Sequence, residues 1–252
     1  MDEKLKHLPV KSRQAVTRFA EAVTDAFGDN LYSLFLFGSA ARASEQDGSG
    51  EFKEGASDIN TAIVLENIRA TELNILGNIG RRFKKRGLAL PLVFKRGHIA
   101  SSLDTFPLEF YDMKRSHIVL HGADPLENAV IEMRNLRHQC EVQLKGQLVL
   151  LRRGYLAAEE KRDPLSLLIS SSVTTVLAAC QGMAIIKGEQ PPGTKSELLR
   201  VVHQDYNIDT SAIEEAWRLK RGELEVSTAT LEMLFDRYTE AIEKLAELVD
   251  RM

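Results

Sequence analysis

Two short stretches in the first quarter of the chain combine residue types that handle charged ligands. The apolar run LYSLFLF, residues 31–37, leads directly into Gly38 and Ser39. Glycine lets a phosphate approach the backbone closely because it carries no side chain, and unpaired backbone N–H groups beside a serine hydroxyl can donate to an anion. The sequence therefore predicts an anion-binding turn at residues 38–39.

A second apolar run, DINTAIVL at residues 58–65, begins with Asp58 and carries Asn60 two positions later. Side chains at positions i and i+2 of a strand point to the same face of the sheet. If the two strands are neighbours, Asp58 and Asn60 face the Gly38 turn and form one polar cleft with it. Arg42, one helical turn after Gly38, is a candidate for a phosphate contact, and an exposed first-turn arginine is the alternative interpretation.

These residues need a sheet with flanking helices to hold them in place. Apolar residues recur at helical spacing before residue 28, and strand-length apolar runs follow at 31–37, 58–65 and 88–94. The stretch 43–57, rich in glycine, serine and acids, predicts a surface loop. A helix between the second and third strands ends in the basic sequence RRFKKRG, residues 81–87, which we interpret as a solvated helix end that complements the helix dipole.

Beyond Gly122 the pattern changes, because helical periods replace the strand-length runs. Asp124 with Pro125 and Asp163 with Pro164 are each typical of a helix start. We therefore predict an α+β protein of two domains. The first, residues 1–123, is a mixed sheet flanked by helices, and the second, residues 124–252, is an all-α bundle of about four to five helices.

Composition excludes several classes of protein. The 252 residues include 33 basic and 36 acidic side chains, so the net charge of −3 argues against nucleic acid or an anionic membrane as a partner. Cys140 and Cys180 lack the spacing of a metal site and are expected to be buried thiols. The N-terminal residues MDEKLKHLPVKSR contain no apolar export segment, so we expect a soluble, cytoplasmic protein. Its oligomeric state stays open, and a homo-oligomer is compatible with the sequence.

The order of an apolar strand, Gly-Ser, a spacer and an acid-led strand resembles the polymerase-beta-like nucleotidyltransferase superfamily. The added helical bundle makes the architecture similar to that of adenylyltransferases that modify aminoglycosides. The resemblance covers residues 31–122 by motif and the bundle by architecture alone. It implies that Gly38 and Ser39 hold the triphosphate of a nucleotide, that Asp58 binds Mg²⁺, and that the acceptor is a small molecule or protein carrying a hydroxyl group.

Two positions depart from the family pattern. Asn60 stands where the family has its second aspartate, and Pro91 stands near the place of the third acid. Two functions therefore stay open at this point. The first is a Mg²⁺-dependent transferase that moves a nucleoside monophosphate from a nucleoside triphosphate, and the second is a catalytically inactive nucleotide-binding or regulatory module.

A transferase would need a replacement for the missing carboxylates. The segment 104–122 contains Asp104, Glu109 and Asp112, in a pattern that fits either a helix or an edge strand. Glu109 is the best substitute for the catalytic base. The alternative is that Glu109 and Asp112 are solvated or paired with neighbouring basic residues.

Overall fold

The computed structural model describes residues 2–42, 58–159, 161–189 and 192–252. The chain forms two compact units, Met1–Ile131 and Glu132–Met252. The sequence predicted a domain boundary between residues 123 and 124, whereas the boundary between the two units lies between residues 131 and 132 of the chain. The surface loop that was predicted at residues 43–57 lies outside the described residues.

The described part of the first unit contains a sheet, helices on both of its faces and two short 3-10 helices, at Asp2–Leu5 and Gly28–Asn30. The α-helices are α1 (Val10–Phe27), α2 (Ser39–Arg42), α3 (Ala70–Lys84), α4 (His98–Ser101) and α5 (Pro107–Arg115). The strands are β1 (Leu31–Phe37), β2 (Asn60–Leu65), β3 (Leu92–Lys95) and β4 (His117–Gly122).

The sheet has the strand order β3-β2-β1-β4. The central strand β1 is antiparallel to β2 and to β4, whereas β2 and β3 run parallel and are joined through α3. Because successive side chains of a strand alternate between faces, Leu34 and Leu36 belong to one apolar core and Phe35 to another. The first core includes Phe19 of α1 and Phe83 of α3, so these helices cover one face of the sheet.

The third strand is shorter than the sequence predicted. An apolar run at 88–94 predicted a continuous strand, but Leu88 forms only an isolated bridge with Ile59 and the regular strand begins at Leu92. Pro91 lies between the two paired stretches and has no N–H to donate to a neighbouring strand. The proline therefore accounts for the interruption.

The second unit is helical, as predicted, and its described residues form five helices. They are α6 (Met133–Ala158), α7 (Arg162–Ile186), α8 (Lys195–Tyr206), α9 (Ser211–Lys220) and α10 (Thr228–Asp250). Within the described residues, α7 is the one helix that is long and apolar enough to span a membrane by length and composition, and 61% of its apolar window is buried inside the protein. Both cysteines are free thiols buried in this unit.

One predicted helix start is wrong. Asp124 and Pro125 predicted the beginning of a helix, but residues 125–128 form turns and α6 begins at Met133. The Asp124 carboxylate accepts a hydrogen bond of 2.8 Å from the N–H of Leu126, which is a local turn that competes with helix formation. The second predicted start is close, because Asp163 lies in the first turn of α7.

Candidate functional site

The turn that follows β1 has the conformation that its glycine predicts. Gly38 has a φ of +79°, in the left-handed region that favours glycine. Its carbonyl accepts hydrogen bonds from the N–H groups of Ala41 and Arg42, at 3.0 and 3.1 Å, which closes the single turn of α2. Arg42 is therefore one helical turn after Gly38, as predicted, and it is half-buried.

The first polar residues of β2 lie directly beside this turn. Phe37, the residue before Gly38, is the register partner of Asn60. The side-chain amide nitrogen of Asn60 lies 3.6 Å from the position that a Cβ atom on Gly38 would occupy. Asp58 is exposed two residues earlier, and the intervening Ile59 is buried in the core on the opposite face. The Gly38 turn and the acid-led start of β2 thus converge at one end of the sheet.

The other side of the turn is held by β4. Phe37 also pairs with His117, and the N–H of Gly38 donates to the carbonyl of Ser116 at 3.1 Å. Nε2 of His117 lies 3.0 Å from a carboxylate oxygen of Asp124, and its Nδ1 lies 3.1 Å from the carbonyl of Lys114. The imidazole is therefore fixed from both ring nitrogens. The sequence gives His117 no role, because its spacing of four from His121 would join the two on a helix but not on the strand that this segment predicts.

Backbone hydrogen bonds to Ile59 bring the C-terminal end of α3 beside the start of β2. The N–H of Ile59 donates to the carbonyl of Gly87 at 2.8 Å, and the N–H of Ala89 donates to the carbonyl of Ile59 at 3.0 Å. The exposed residues Lys84, Lys85 and Arg86 directly precede Gly87. The basic end of α3 is therefore adjacent to Asp58.

The candidate base, Glu109, lies on α5, which packs on the same face of the sheet as the Asn60 side chain. Phe110 of α5 is buried in the core that also contains Phe35. Glu109 itself is exposed in the first turn of α5. Helix geometry places it roughly 10 Å along the axis from Ser116, whose carbonyl contacts the Gly38 turn. Asp112 is only one turn from Ser116, and its carbonyl accepts the N–H of Ser116 at 3.1 Å.

The predicted ligand positions at this sheet end offer one carboxylate among the described residues. Asp58 offers one carboxylate and Asn60 one amide, whereas Pro91 offers no side-chain oxygen. Within the described residues there is no group of three His, Cys, Asp or Glu side chains that could hold a metal. Magnesium commonly binds through one or two carboxylates together with substrate phosphates, so Asp58 fits a single ion carried on a triphosphate. Within residues 2–42, 58–159, 161–189 and 192–252, no set of carboxylates that could hold two metal ions lies at this sheet end.

Comparison with known proteins supports the fold. No family model matches the sequence, and no curated protein matches it either. Among solved structures the chain is similar to the crystal structure of the spectinomycin adenyltransferase AAD(9) from Enterococcus faecialis with ATP and spectinomycin, at 11% sequence identity and a TM-score of 0.55. The similarity covers 91% of this chain and 98% of that chain. The chain therefore has the α+β nucleotidyltransferase fold of that enzyme, a sheet unit followed by a helical unit.

Proposed function

We propose that the protein is a nucleotidyltransferase that transfers a nucleoside monophosphate from a nucleoside triphosphate to the hydroxyl group of a small molecule. The observation that carries this proposal is the pairing of Phe37 with Asn60, which puts the Gly38 turn beside the start of β2. The similar adenyltransferase structure holds ATP and spectinomycin, which supports a nucleotide donor and a small-molecule acceptor.

In this reaction the acceptor oxygen bonds to the α-phosphorus, the bond to the bridging oxygen breaks, and pyrophosphate leaves. Gly38 and Ser39 would contact the phosphates, with Arg42 as a further cationic contact. Asp58 would hold one Mg²⁺ on the triphosphate, with Asn60 beside it, and that ion would supply positive charge to the phosphate oxygens. The proton of the acceptor hydroxyl would pass to a carboxylate of α5, either Glu109 or Asp112.

One observation favours a second candidate, a catalytically inactive nucleotide-binding or regulatory module. Asn60 and Pro91 remove the charges that a two-metal displacement needs. Such a module would keep the Gly38 turn and bind the nucleotide without turning it over. The two candidates share the binding site and differ only in whether product forms.

The proposal is tested by calorimetric titration of the full chain with ATP, with and without Mg²⁺, for the wild type and for Asp58→Asn. We expect Mg²⁺ to increase the affinity of the wild type for ATP by about tenfold, which corresponds to about 1.4 kcal/mol, and we expect this increase to disappear in Asp58→Asn. Asp104→Asn is the matched control, since Asp104 is also an exposed aspartate of the first unit.

Release of pyrophosphate in the presence of a panel of hydroxyl-bearing small molecules then separates the two candidates. Pyrophosphate that depends on an acceptor supports the transferase, whereas binding without product supports the inactive module. If no nucleoside triphosphate binds at millimolar concentration, with or without Mg²⁺, both candidates fail. The cytoplasmic location expected from the sequence stays a prediction.

A further inference from the structure

The basic end of α3 lies at the same sheet end as the Gly38 turn. Phe83 of α3 is buried in the first core. After Phe83 the chain continues through Lys84, Lys85 and Arg86 to Gly87, whose carbonyl accepts a hydrogen bond from the N–H of Ile59. Because adjacent strands lie about 4.8 Å apart, the backbones of Gly38 and Gly87, on either side of β2, are separated by roughly 10 Å. A lysine side chain reaches much of that distance, so one extended anion could touch both the turn and the basic residues.

The charges of Lys84 and Lys85 are not neutralised by any ion pair among the described residues. Both are exposed, and within the part of the chain that the structure describes neither side chain has a carboxylate or hydrogen-bond partner. Arg86 differs, because its guanidinium lies over the ring of Phe83, 5.3 Å from the ring centre. Two ammonium groups without an ion pair among the described residues, against the single described carboxylate of Asp58, raise the local concentration of anions beside the turn.

The amide of Asn60 presents hydrogen-bond donors beside the turn, where an aspartate would present a negative charge. An aspartate at this position would repel a phosphate in the absence of a metal, whereas the amide of Asn60 carries two N–H donors. Its amide nitrogen lies against Gly38, at the 3.6 Å separation given above. The residue that weakens the metal site is therefore one that can donate directly to a bound anion.

We propose that this sheet end also binds the polyphosphate group of its ligand in the absence of a divalent metal, with Lys84 and Lys85 supplying positive charge and the Asn60 amide donating hydrogen bonds. This inference rests on the proposed function for the identity of the ligand, a nucleoside triphosphate. It adds that the triphosphate is held by protein cations. The shared chemistry is a linear chain of three phosphates, so inorganic tripolyphosphate is a sufficient probe.

A competing role for these lysines is to complement the negative end of the α3 dipole, which basic residues in a last turn ordinarily do. That role stabilises the helix and leaves anion affinity unchanged. The two roles therefore separate in a binding experiment that also measures thermal stability.

The test is calorimetric titration of the full chain with inorganic tripolyphosphate in EDTA and low salt. The double variant Lys84→Gln/Lys85→Gln is compared with Lys95→Gln/Arg153→Gln. The control removes the same two charges from exposed positions, one at the opposite end of β3 and one in the helical unit. We expect binding in EDTA, a loss of affinity of about tenfold in the first variant and a change of less than twofold in the control. Circular dichroism melting curves verify that both variants are folded.

Three results would overturn the inference. Tripolyphosphate that binds only when Mg²⁺ is present, and no longer does so in Asp58→Asn, would leave the proposed function standing and remove the metal-free mode. Equal loss of affinity in both double variants would show nonspecific charge attraction. A lower melting temperature with unchanged affinity in Lys84→Gln/Lys85→Gln would assign these lysines to the helix dipole.

Discussion

The side-chain amide of Asn60 lies against Gly38, within van der Waals reach of any side chain placed there. The two residues are 22 positions apart in sequence and are neighbours because Phe37 and Asn60 are paired across antiparallel strands. This contact places a side-chain hydrogen-bond donor, and not a carboxylate, beside the turn.

Replacing Asn60 with aspartate should strengthen metal-dependent binding and weaken metal-free binding. The new carboxylate adds a metal ligand beside Asp58 and introduces repulsion toward a bare phosphate. We expect Asn60→Asp to strengthen ATP binding in Mg²⁺ by about tenfold and to weaken tripolyphosphate binding in EDTA by at least as much, an energy of about 1.4 kcal/mol in each case. Asn67→Asp, beyond the other end of β2, is the control. Identical affinities for Asn60→Asp and the wild type in both buffers would contradict the prediction.

Substitutions of the two candidate carboxylates on α5 can identify the catalytic base. Asp112 is one turn from Ser116, whereas Glu109 is about two turns from it, so helix position favours Asp112 although the sequence favoured Glu109. We expect Asp112→Asn to lower the rate of product formation by about 100-fold, the lower end of the range for loss of a general base, and Glu109→Gln to lower it by less than threefold. Nucleotide affinity measured by calorimetry should be unchanged in both variants. A rate that falls only in Glu109→Gln would restore the base that the sequence favoured.

His117 should act as a positioning residue for the turn. Its ring packs edge-on against Phe35, with the ring centroids 5.9 Å apart. Its contacts with Asp124 and Lys114 fix the start of β4. The carbonyl of Ser116, the residue just before β4, accepts a hydrogen bond from the N–H of Gly38. We expect His117→Ala to lower the free energy of unfolding of the first unit by about 2 kcal/mol, through lost packing and hydrogen bonds. ATP affinity should fall in the same variant.

Two comparisons make the His117 prediction specific. His121→Ala removes a half-buried histidine from the same strand and should leave ATP affinity unchanged. His117→Gln keeps a side-chain donor near Asp124 and should recover part of the affinity. Equal affinities in His117→Ala and the wild type, measured at a temperature where both are folded, would show that the residue is structural only.

Gly122 should be the most sensitive of the glycines that the structure describes in the first unit. It has a φ of +76°, and a Cβ atom built on it would overlap the backbone carbonyl oxygen of Tyr32. We expect Gly122→Ala to cost about 3 kcal/mol of stability, because the overlap cannot be relieved by a side-chain rotation. Gly97→Ala is the matched control. Gly97 has a φ of +84° with no atom within 4 Å of its Cβ position, so backbone conformation alone should cost about 1 kcal/mol. Chemical denaturation of both variants measures the difference.

Glu141 should contribute a pH-dependent interaction to the helical unit. A hydrogen bond of 2.6 Å from the ammonium of Lys145, together with the guanidinium of Arg137 at 3.0 Å, lowers the pKa of Glu141 to about 2. Because the folded-state pKa lies below the ordinary value of 4.5, the interaction stabilises the fold fully above about pH 4.5 and is lost as the pH falls toward 2.

The difference in unfolding free energy between the wild type and Glu141→Gln should therefore be constant from pH 7 to pH 5 and should shrink between pH 4.5 and pH 2.5. It should stay small at every pH because solvent screens the exposed ammonium of Lys145. The difference between Glu141→Gln/Lys145→Gln and Lys145→Gln should be smaller but still pH-dependent, because Arg137 still contacts Glu141 in Lys145→Gln. A stability difference that is independent of pH would refute the assignment.

Much of the first unit could be predicted because its signals are local. The run at 31–37 gives β1 with the same bounds, and the glycine that follows it has the positive φ expected of a tight turn. The segment 104–122 was ambiguous between helix and strand because it contains both, α5 followed by β4. A single periodicity cannot describe two elements separated by one residue.

The rest depends on pairing between distant strands, which local patterns do not specify. Nothing in the spacing of His117 indicates that β4 lies on the far side of β1 from β2. The basic residues at the C-terminal end of α3 were interpreted as a solvated helix end, and they are exposed as expected. They lie close to Asp58 because the N–H of Ile59 is hydrogen-bonded to the carbonyl of Gly87. The sequence pattern of a helix end does not indicate that pairing.

The parallel pairing of β2 and β3 has a consequence for recognising related chains. Both strands begin at the same end of the sheet, so Asp58 and the lysines before Gly87 stay together however many residues the crossover helix between them contains. A search pattern with a fixed gap from the acid to the lysines would overlook any homologue whose crossover is a turn longer or shorter. A pattern that aligns the two strand beginnings would find it.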